Sequence, residues 1–122
     1  MWSVAWDPKQ QYLASVSSDN LLKLWEIKSF KEIASFKGHT GTVYSVVWSS
    51  VGDKLATGSL DESIIIWSLK EKNFIAVIDT AKHFVRCLAW SADGKLLASC
   101  SGHGDNSIKL WNPVSKECLV TL

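Results

Sequence analysis

A block of about 42 residues that occurs three times is the feature that most constrains this chain. Two sets of tryptophans mark it: Trp6, Trp48 and Trp90 at spacings of 42, and Trp25, Trp67 and Trp111 at spacings of 42 and 44. The segments between the sets also match, namely YLASVSSDNLLKLW (12–25), KLATGSLDESIIIW (54–67) and LLASCSGHGDNSIKLW (96–111). A period of this length is typical of stacked units, since one unit cannot bury its own apolar faces. Stacked units usually offer a binding surface, so an active site needs separate support.

Each unit is predicted to be a four-stranded antiparallel meander. The middle unit contains four short apolar segments separated by polar turns: 43–48, 54–59, 63–69 and 74–78. The run IIIW (64–67) is continuously apolar, which indicates a strand buried on both faces. A four-stranded sheet covered on both faces by similar sheets is a blade of a β-propeller. We therefore predict an all-β fold with three four-stranded antiparallel blades, at about 1–37, 38–79 and 80–122.

Composition narrows the class of partner. The chain has 122 residues, 47% of them hydrophobic, and a net charge of +1, so no overall field attracts nucleic acid or anionic lipid. Its apolar runs are too short to span a membrane, and its first residues, MWSVAW, do not look like a secretory signal. Three cysteines without a CxxC pair, Cys87, Cys100 and Cys118, are interpreted as buried reduced thiols. We expect an intracellular protein of the cytoplasm or nucleus that does not bind membranes.

A GH dyad at 38–39, a turn aspartate and a strand tryptophan follow one another in GH … SVVWSSVGDKLATGSLDESIIIW. With these motifs at this spacing the sequence resembles the WD-repeat β-propeller family, and the resemblance covers essentially the whole chain. None of the repeat tryptophans is followed by aspartate, because the dipeptides are Trp25-Glu26, Trp67-Ser68 and Trp111-Asn112. The GH dyad occurs once only, in the middle unit.

The resemblance implies a buried hydrogen-bond network in the middle unit, formed by His39, Thr57, Asp61 and Trp67. The same residue types are the ingredients of a nucleophilic triad. A hydroxyl held between an indole and an imidazole is not free to attack a substrate, so we favour the structural role and predict no catalytic residue. The other units keep only part of the set: Ser15, Asp19 and Trp25 in the first, and Ser99 or Ser101 with Asp105 and Trp111 in the third.

No cofactor or metal is expected. The glycines form neither a GxGxxG nor a GxxxxGK[ST] pattern, so nucleotide binding has no support. His83, His103 and Asp105 could share one rim of the third unit, which makes a zinc site conceivable. Solvated loop histidines explain these residues better, because no two of them show the spacing of a zinc ligand pair.

Candidate partner-binding residues cluster at the entry of the innermost strands. Trp2, Tyr44 and Arg86 occupy the same position of the three units, and these residue types dominate binding hot spots. Lys82 and Phe84 replace small polar residues in the third rim loop, and Leu60 precedes the turn aspartate. Alternatively, Trp2 and Tyr44 pack between blades and Arg86 is merely solvated. The aligned tryptophans Trp6, Trp48 and Trp90 are interpreted as core between blades.

Three blades do not make a ring, since propellers have four to eight. The exposed end faces would be larger than soluble monomers tolerate. Either the blades belong to a longer propeller or identical chains close a ring, with a six-bladed dimer favoured over a trimer. We predict a non-catalytic scaffold that binds other proteins or peptides through one rim. The alternatives are a regulatory or targeting segment of a larger protein or enzyme, and a propeller that binds nucleic acid.

Overall fold

The chain forms three separate sheets. A computed structural model describes residues 1–80, 83–102 and 104–122. These residues form twelve β-strands in three four-stranded antiparallel sheets, in each of which the strands pair in chain order. The prediction of an all-β fold with three four-stranded blades is confirmed, and the sheets do not close into a ring. No helix in the described ranges is long and apolar enough to cross a membrane.

Each sheet is one blade with its innermost strand first. The first blade contains β1 (Ser3–Trp6), β2 (Tyr12–Val16), β3 (Leu22–Glu26) and β4 (Lys31–Phe36). The middle blade contains β5 (Val43–Trp48), β6 (Lys54–Ser59), β7 (Ser63–Ser68) and β8 (Asn73–Asp79). The third blade contains β9 (Val85–Trp90), β10 (Leu97–Ser101), β11 (Ile108–Trp111) and β12 (Cys118–Thr121). Residues 64–67 of β7 are all at most 2% exposed, which confirms the predicted burial on both faces.

The three blades repeat the same backbone turns. Each described blade has one residue with positive φ in each of its three turns. These residues, given from the first blade to the third, are Gln10, Gly52 and Gly94 in the first turn, Asn20, Glu62 and Gly104 in the second, and Phe30, Lys72 and Lys116 in the third. The φ values lie between 54° and 90°, a region that residues with a Cβ rarely adopt. Since most of these positions are not glycine, the pairing of the flanking strands imposes the turn geometry in spite of its local cost.

Two apolar cores join the blades, and both have the same design. In the first core, small and aliphatic side chains of the first blade, such as Ala14 and Leu24, pack against Trp48 and Trp67 of the middle blade. In the second core, the other face of the middle blade packs against Trp111 and its neighbours in the third blade. Thus one blade presents mostly small and aliphatic side chains, and the next presents tryptophans.

Polar contacts fix the stacking of the blades. Trp48 Nε1 donates a hydrogen bond of 2.9 Å to the carbonyl oxygen of Ala5, one blade away. The backbone N–H of Leu88 donates to Ser45 Oγ at 3.2 Å, which links the middle and third blades. The indole N–H of Trp90 is buried and has no acceptor among the described residues. The two interfaces therefore share their packing but not all their hydrogen bonds.

Two predictions of burial were wrong at the ends of the stack. Trp6 was expected in the core between blades, but its side chain is 56% exposed, whereas Trp48 is 8% exposed. The face of the first blade that carries Trp6 has no described blade against it. Likewise Cys87 and Cys118 are exposed and Cys100 is only half-buried, although all three thiols are free. Cys87 and Cys100 are register partners on the outward face of the third blade, which no described blade covers.

Candidate functional site

The predicted network residues of the middle blade lie within hydrogen-bond distance of one another. Trp67 Nε1 donates to Thr57 Oγ1 at 2.8 Å. His39 Nε2 lies 2.6 Å from Thr57 Oγ1, and His39 Nδ1 lies 2.9 Å from Asp61 Oδ2. The network ties the loop before β5 to the turn between β6 and β7.

The direction of these hydrogen bonds follows from the groups at the two ends of the network, the Trp67 indole and the Asp61 carboxylate. An indole N–H can only donate and an ionised carboxylate can only accept. We therefore assign a proton to Nδ1 of His39, which donates to Asp61, while Nε2 accepts the hydroxyl proton of Thr57. Thr57 is 0% exposed, and its oxygen is occupied on both sides. The buried hydroxyl cannot reach a substrate, so we assign the arrangement a structural role in the blade.

Asp61 is the best-supported acceptor in the network. Its Oδ2 also accepts the backbone N–H of Thr40 at 2.9 Å, and its Oδ1 accepts both the N–H and the hydroxyl of Ser63. Burial by itself raises the pKa of Asp61, but hydrogen bonds from His39, Ser63 and Thr40 outweigh burial and hold the pKa well below its usual range. Asp61 is therefore ionised in the folded protein at neutral pH.

The other two blades contain shorter versions of this network. Trp25 Nε1 donates to Ser15 Oγ at 2.9 Å in the first blade, and Trp111 Nε1 donates to Ser99 Oγ at 2.8 Å in the third. The choice between Ser99 and Ser101 is thereby resolved, because Ser101 contacts Asp105 instead.

Asp105 and His83, which the sequence analysis placed on one rim of the third unit, lie close together. Asp105 Oδ2 accepts from Ser107 Oγ at 2.8 Å and lies 3.5 Å from His83 Nδ1. The third blade therefore brings a histidine near its turn aspartate, but without the buried hydroxyl between them. His103, the other residue considered for zinc, lies outside the described residues. Within the described ranges no group of three or more His, Cys, Asp or Glu side chains is placed to hold a metal ion.

Three of the predicted partner-binding side chains stack at the rim. The ring centroids of Trp2 and Tyr44 are 5.2 Å apart in an edge-to-face arrangement. The guanidinium carbon of Arg86 lies 4.6 Å from the centre of the Tyr44 ring and 5.9 Å from that of Trp2. Trp2 and Tyr44 do contact each other between blades, yet Trp2 remains 52% exposed. The three side chains, one from each blade, form a continuous surface that is also open to solvent.

A pocket adjoins this stack. Its volume is about 330 Å³, and its lining residues are Tyr44, Leu60, Phe84, Arg86 and Gly102. We call it the rim pocket. The Phe84 and Tyr44 rings are 6.2 Å apart, and Leu60, which also lines the pocket, is 45% exposed. Four of the six residues predicted from sequence thus line one pocket, Trp2 adjoins it, and Lys82 lies outside the described residues.

Gly102 is a pocket residue that sequence reasoning missed. A Cβ at this position would stand 2.6 Å from Phe84 Cε2 and 2.8 Å from Arg86 Cγ. Only a glycine therefore lets the turn after β10 lie directly against the Phe84 ring and the stem of Arg86. The signal in the sequence was the Gly102-His103 insertion, which occurs in no other unit.

A second cleft lies at the other end of the innermost strands. Its volume is about 380 Å³, and the aligned tryptophans Trp6, Trp48 and Trp90 all contribute to its lining. Those tryptophans were predicted as core alone. The cleft shows that two of them, Trp6 and the partly buried Trp90, also form accessible surface.

The fold and the network define this chain as a set of stacked propeller-type blades. In the middle blade a histidine–hydroxyl–tryptophan network stabilises the stack of loop, turn and strand. The WD40 family model, described as WD domain, G-beta repeat, matches residues 1–26, 30–68 and 73–112, and the chain belongs to this family. The predicted family is thereby confirmed. A comparison with curated proteins gives no match. WD40 repeats are generally protein-interaction scaffolds, and they are typically non-catalytic.

Proposed function

We propose that this chain is a non-catalytic module that binds a partner protein through the rim pocket and the adjoining Trp2 side chain. The observation that carries the proposal is the convergence of Trp2, Tyr44 and Arg86 from three different blades on one exposed surface. Tryptophan, tyrosine and arginine are the residues most enriched in binding hot spots. A surface that spans three blades is also held rigid by both cores between them.

Rigidity supports a scaffold role. Tyr44 and Arg86 lie in β5 and β9, and neighbouring residues of these strands, Val43 and Val85, are at most 2% exposed. A partner would therefore meet side chains whose backbone is already fixed, which lowers the entropy lost on binding. The network of the middle blade further anchors the turn that carries Leu60, because Asp61 follows it directly.

Two rival functions are less well supported. Nucleic acid binding would require a basic stripe, whereas the rim pocket contains one charged residue among aromatic and aliphatic ones. A role as the regulatory or targeting segment of a larger protein or enzyme is compatible with the same pocket. Free thiols are compatible with a reducing compartment, and we propose the cytoplasm or nucleus as the location.

We further infer that similar blades cover the two end faces. The first blade presents Trp6 outward and the third blade presents small residues such as Ala89 and Cys100, which are the two kinds of surface that pair in both observed cores. The missing blades come from a longer form of the chain or from a second copy, with a six-bladed dimer favoured. The solution mass measured by light scattering separates a dimer from a trimer or a monomer.

Affinity capture tests the binding role of the rim. Immobilised wild-type chain is compared with Tyr44→Ala, Phe84→Ala and a control, Phe30→Ala, whose ring is exposed in a turn outside the pocket. Mass spectrometry should find proteins that both rim variants lose and the control keeps. The proposal is refuted if folded rim variants capture the same proteins as wild type. Capture of nucleic acid with a steep salt dependence would instead support the rival.

A further inference from the structure

Arg86 combines features that no other residue of the chain has. It is the only arginine among thirteen basic side chains. Its side chain is exposed, and within the described ranges it takes part in no salt bridge. A fixed positive charge therefore stands at the edge of the rim pocket without a carboxylate partner from the described chain.

The orientation of Arg86 is already determined before a ligand arrives. The guanidinium stacks over the Tyr44 ring at 4.6 Å, and the stem lies against the turn that contains Gly102. Stacking leaves the edges of a guanidinium, which carry its N–H groups, free to donate. Because the planar fork is held in place, less side-chain freedom is lost when two of its N–H groups bind one carboxylate.

Aromatic and aliphatic side chains lie beside Arg86. Phe84, Leu60 and Tyr44 line an open space of about 330 Å³, which is at the lower end of the range for ligand sites. This space accommodates an apolar side chain of a peptide next to the group that contacts the guanidinium. The aromatic rings alone would also suit an alkylammonium ion. Arg86 already covers the Tyr44 ring, however, and its charge repels a second cation.

We propose that the rim pocket binds a peptide segment in which a carboxylate pairs with Arg86 and an adjacent apolar side chain enters the space between Phe84 and Leu60. This inference rests on the proposed function and specifies the chemistry of the partner. The carboxylate belongs either to an internal aspartate or glutamate or to the end of a chain. Both sources offer the same planar pair of acceptors to the guanidinium.

Peptide arrays test the proposal directly. The probes are capped heptapeptide pools with glutamate, glutamine or lysine at the centre, next to a fixed leucine or phenylalanine. A further pool ends in a free carboxylate after leucine or phenylalanine. The 122-residue chain should bind the glutamate pools about 10-fold or more tightly than the glutamine pools, as expected for a charge-assisted hydrogen bond. Preference for the pool with a free terminus would assign the carboxylate to a chain end.

Variants test whether Arg86 is the residue that recognises the carboxylate of the peptide. Arg86→Met should abolish the preference for glutamate over glutamine, and Arg86→Lys should retain only part of it, because a lysine lacks the planar fork. Gly102→Ala keeps the charge but places a methyl group on Phe84 and the Arg86 stem, so it should weaken all pools. The matched control is Lys28→Met, which removes an exposed positive charge outside the pocket. Circular dichroism checks that each variant is folded.

The outcomes separate this inference from the proposed function. Equal binding of glutamate and glutamine pools, the strongest binding by lysine pools, the same loss in Lys28→Met, or no binding by any pool would each overturn the acidic-peptide proposal. If the rim variants still lose captured proteins in that case, the protein-binding function stands with a different ligand chemistry. If they lose none, both proposals fail.

Discussion

Replacement of Asp61 by alanine should destabilise the chain more than replacement of its counterpart in the third blade. In the folded protein the Asp61 carboxylate accepts hydrogen bonds from His39 Nδ1, the Thr40 N–H and both donors of Ser63. Alanine leaves all these donors without their acceptor. The loss depends on which of them can turn to water instead.

His39 cannot turn to water, because its side chain is 1% exposed. Its Nδ1–H would keep only the hydroxyl oxygen of Ser63, 3.2 Å away, as an acceptor in place of a carboxylate, at a cost of about 1–3 kcal/mol. Thr40 is exposed and Ser63 is half-buried, so water replaces most of their bonds to Asp61. We expect a decrease of about 2–3 kcal/mol in the free energy of unfolding. For a domain of this size that corresponds to a drop of roughly 6–15 °C in Tm.

Urea titration followed by tryptophan fluorescence, together with calorimetry, provides the assay. Asp105→Ala is the control, because Asp105 accepts mainly from the hydroxyls of Ser101 and Ser107, and the nearby His83 is 37% exposed. Its Tm should fall clearly less than that of Asp61→Ala. Equal losses of Tm in the two variants would show that the burial of His39 adds no cost, and the argument from its buried N–H group would be wrong.

Three more predictions concern single side chains. Trp48→Phe should lower the free energy of unfolding by about 1–2 kcal/mol, through loss of packing and of the hydrogen bond to Ala5, whereas Trp6→Phe should change it by less than about 0.5 kcal/mol. Equal urea midpoints would show that Trp6 is covered in solution. Phe30→Gly should raise stability by about 0.5 kcal/mol, because Phe30 has φ of 56° and is 82% exposed; a lower Tm would contradict this. Finally, the pKa of Asp61 is lower in the folded than in the unfolded chain, so its stabilising contribution is complete above the unfolded value of 3.8 and is lost as the pH falls towards the folded value. The stability difference between wild type and Asp61→Asn should therefore stay constant from about pH 6 to about pH 5 and narrow from there to about pH 3, and a constant difference over the whole range would refute the role of ionised Asp61.

Much of the candidate site could be predicted from alignment of the units. Trp2, Tyr44 and Arg86 share one position of a repeat, and residues that share such a position lie side by side when the repeats stack. The arrangement within the site could not be predicted in this way. That Arg86 stacks on Tyr44, and that Gly102 gives room for Phe84, depends on the shape of a loop with an insertion that the other units lack.

Local sequence by itself determined the strands and turns of this protein, because alternating and continuous apolar runs between polar turns define a meander without reference to distant residues. The 42-residue period likewise determined that the meanders stack. The tertiary structure alone decided which equivalent residues are buried. Trp6 and Trp48 occupy the same repeat position, but only Trp48 has a neighbouring blade against its face. The same holds for Ser45, which accepts an N–H from the next blade, and for Cys87, its exposed counterpart. Whether a residue is buried depends on both surfaces that meet at an interface, and the sequence of one repeat describes only its own surface.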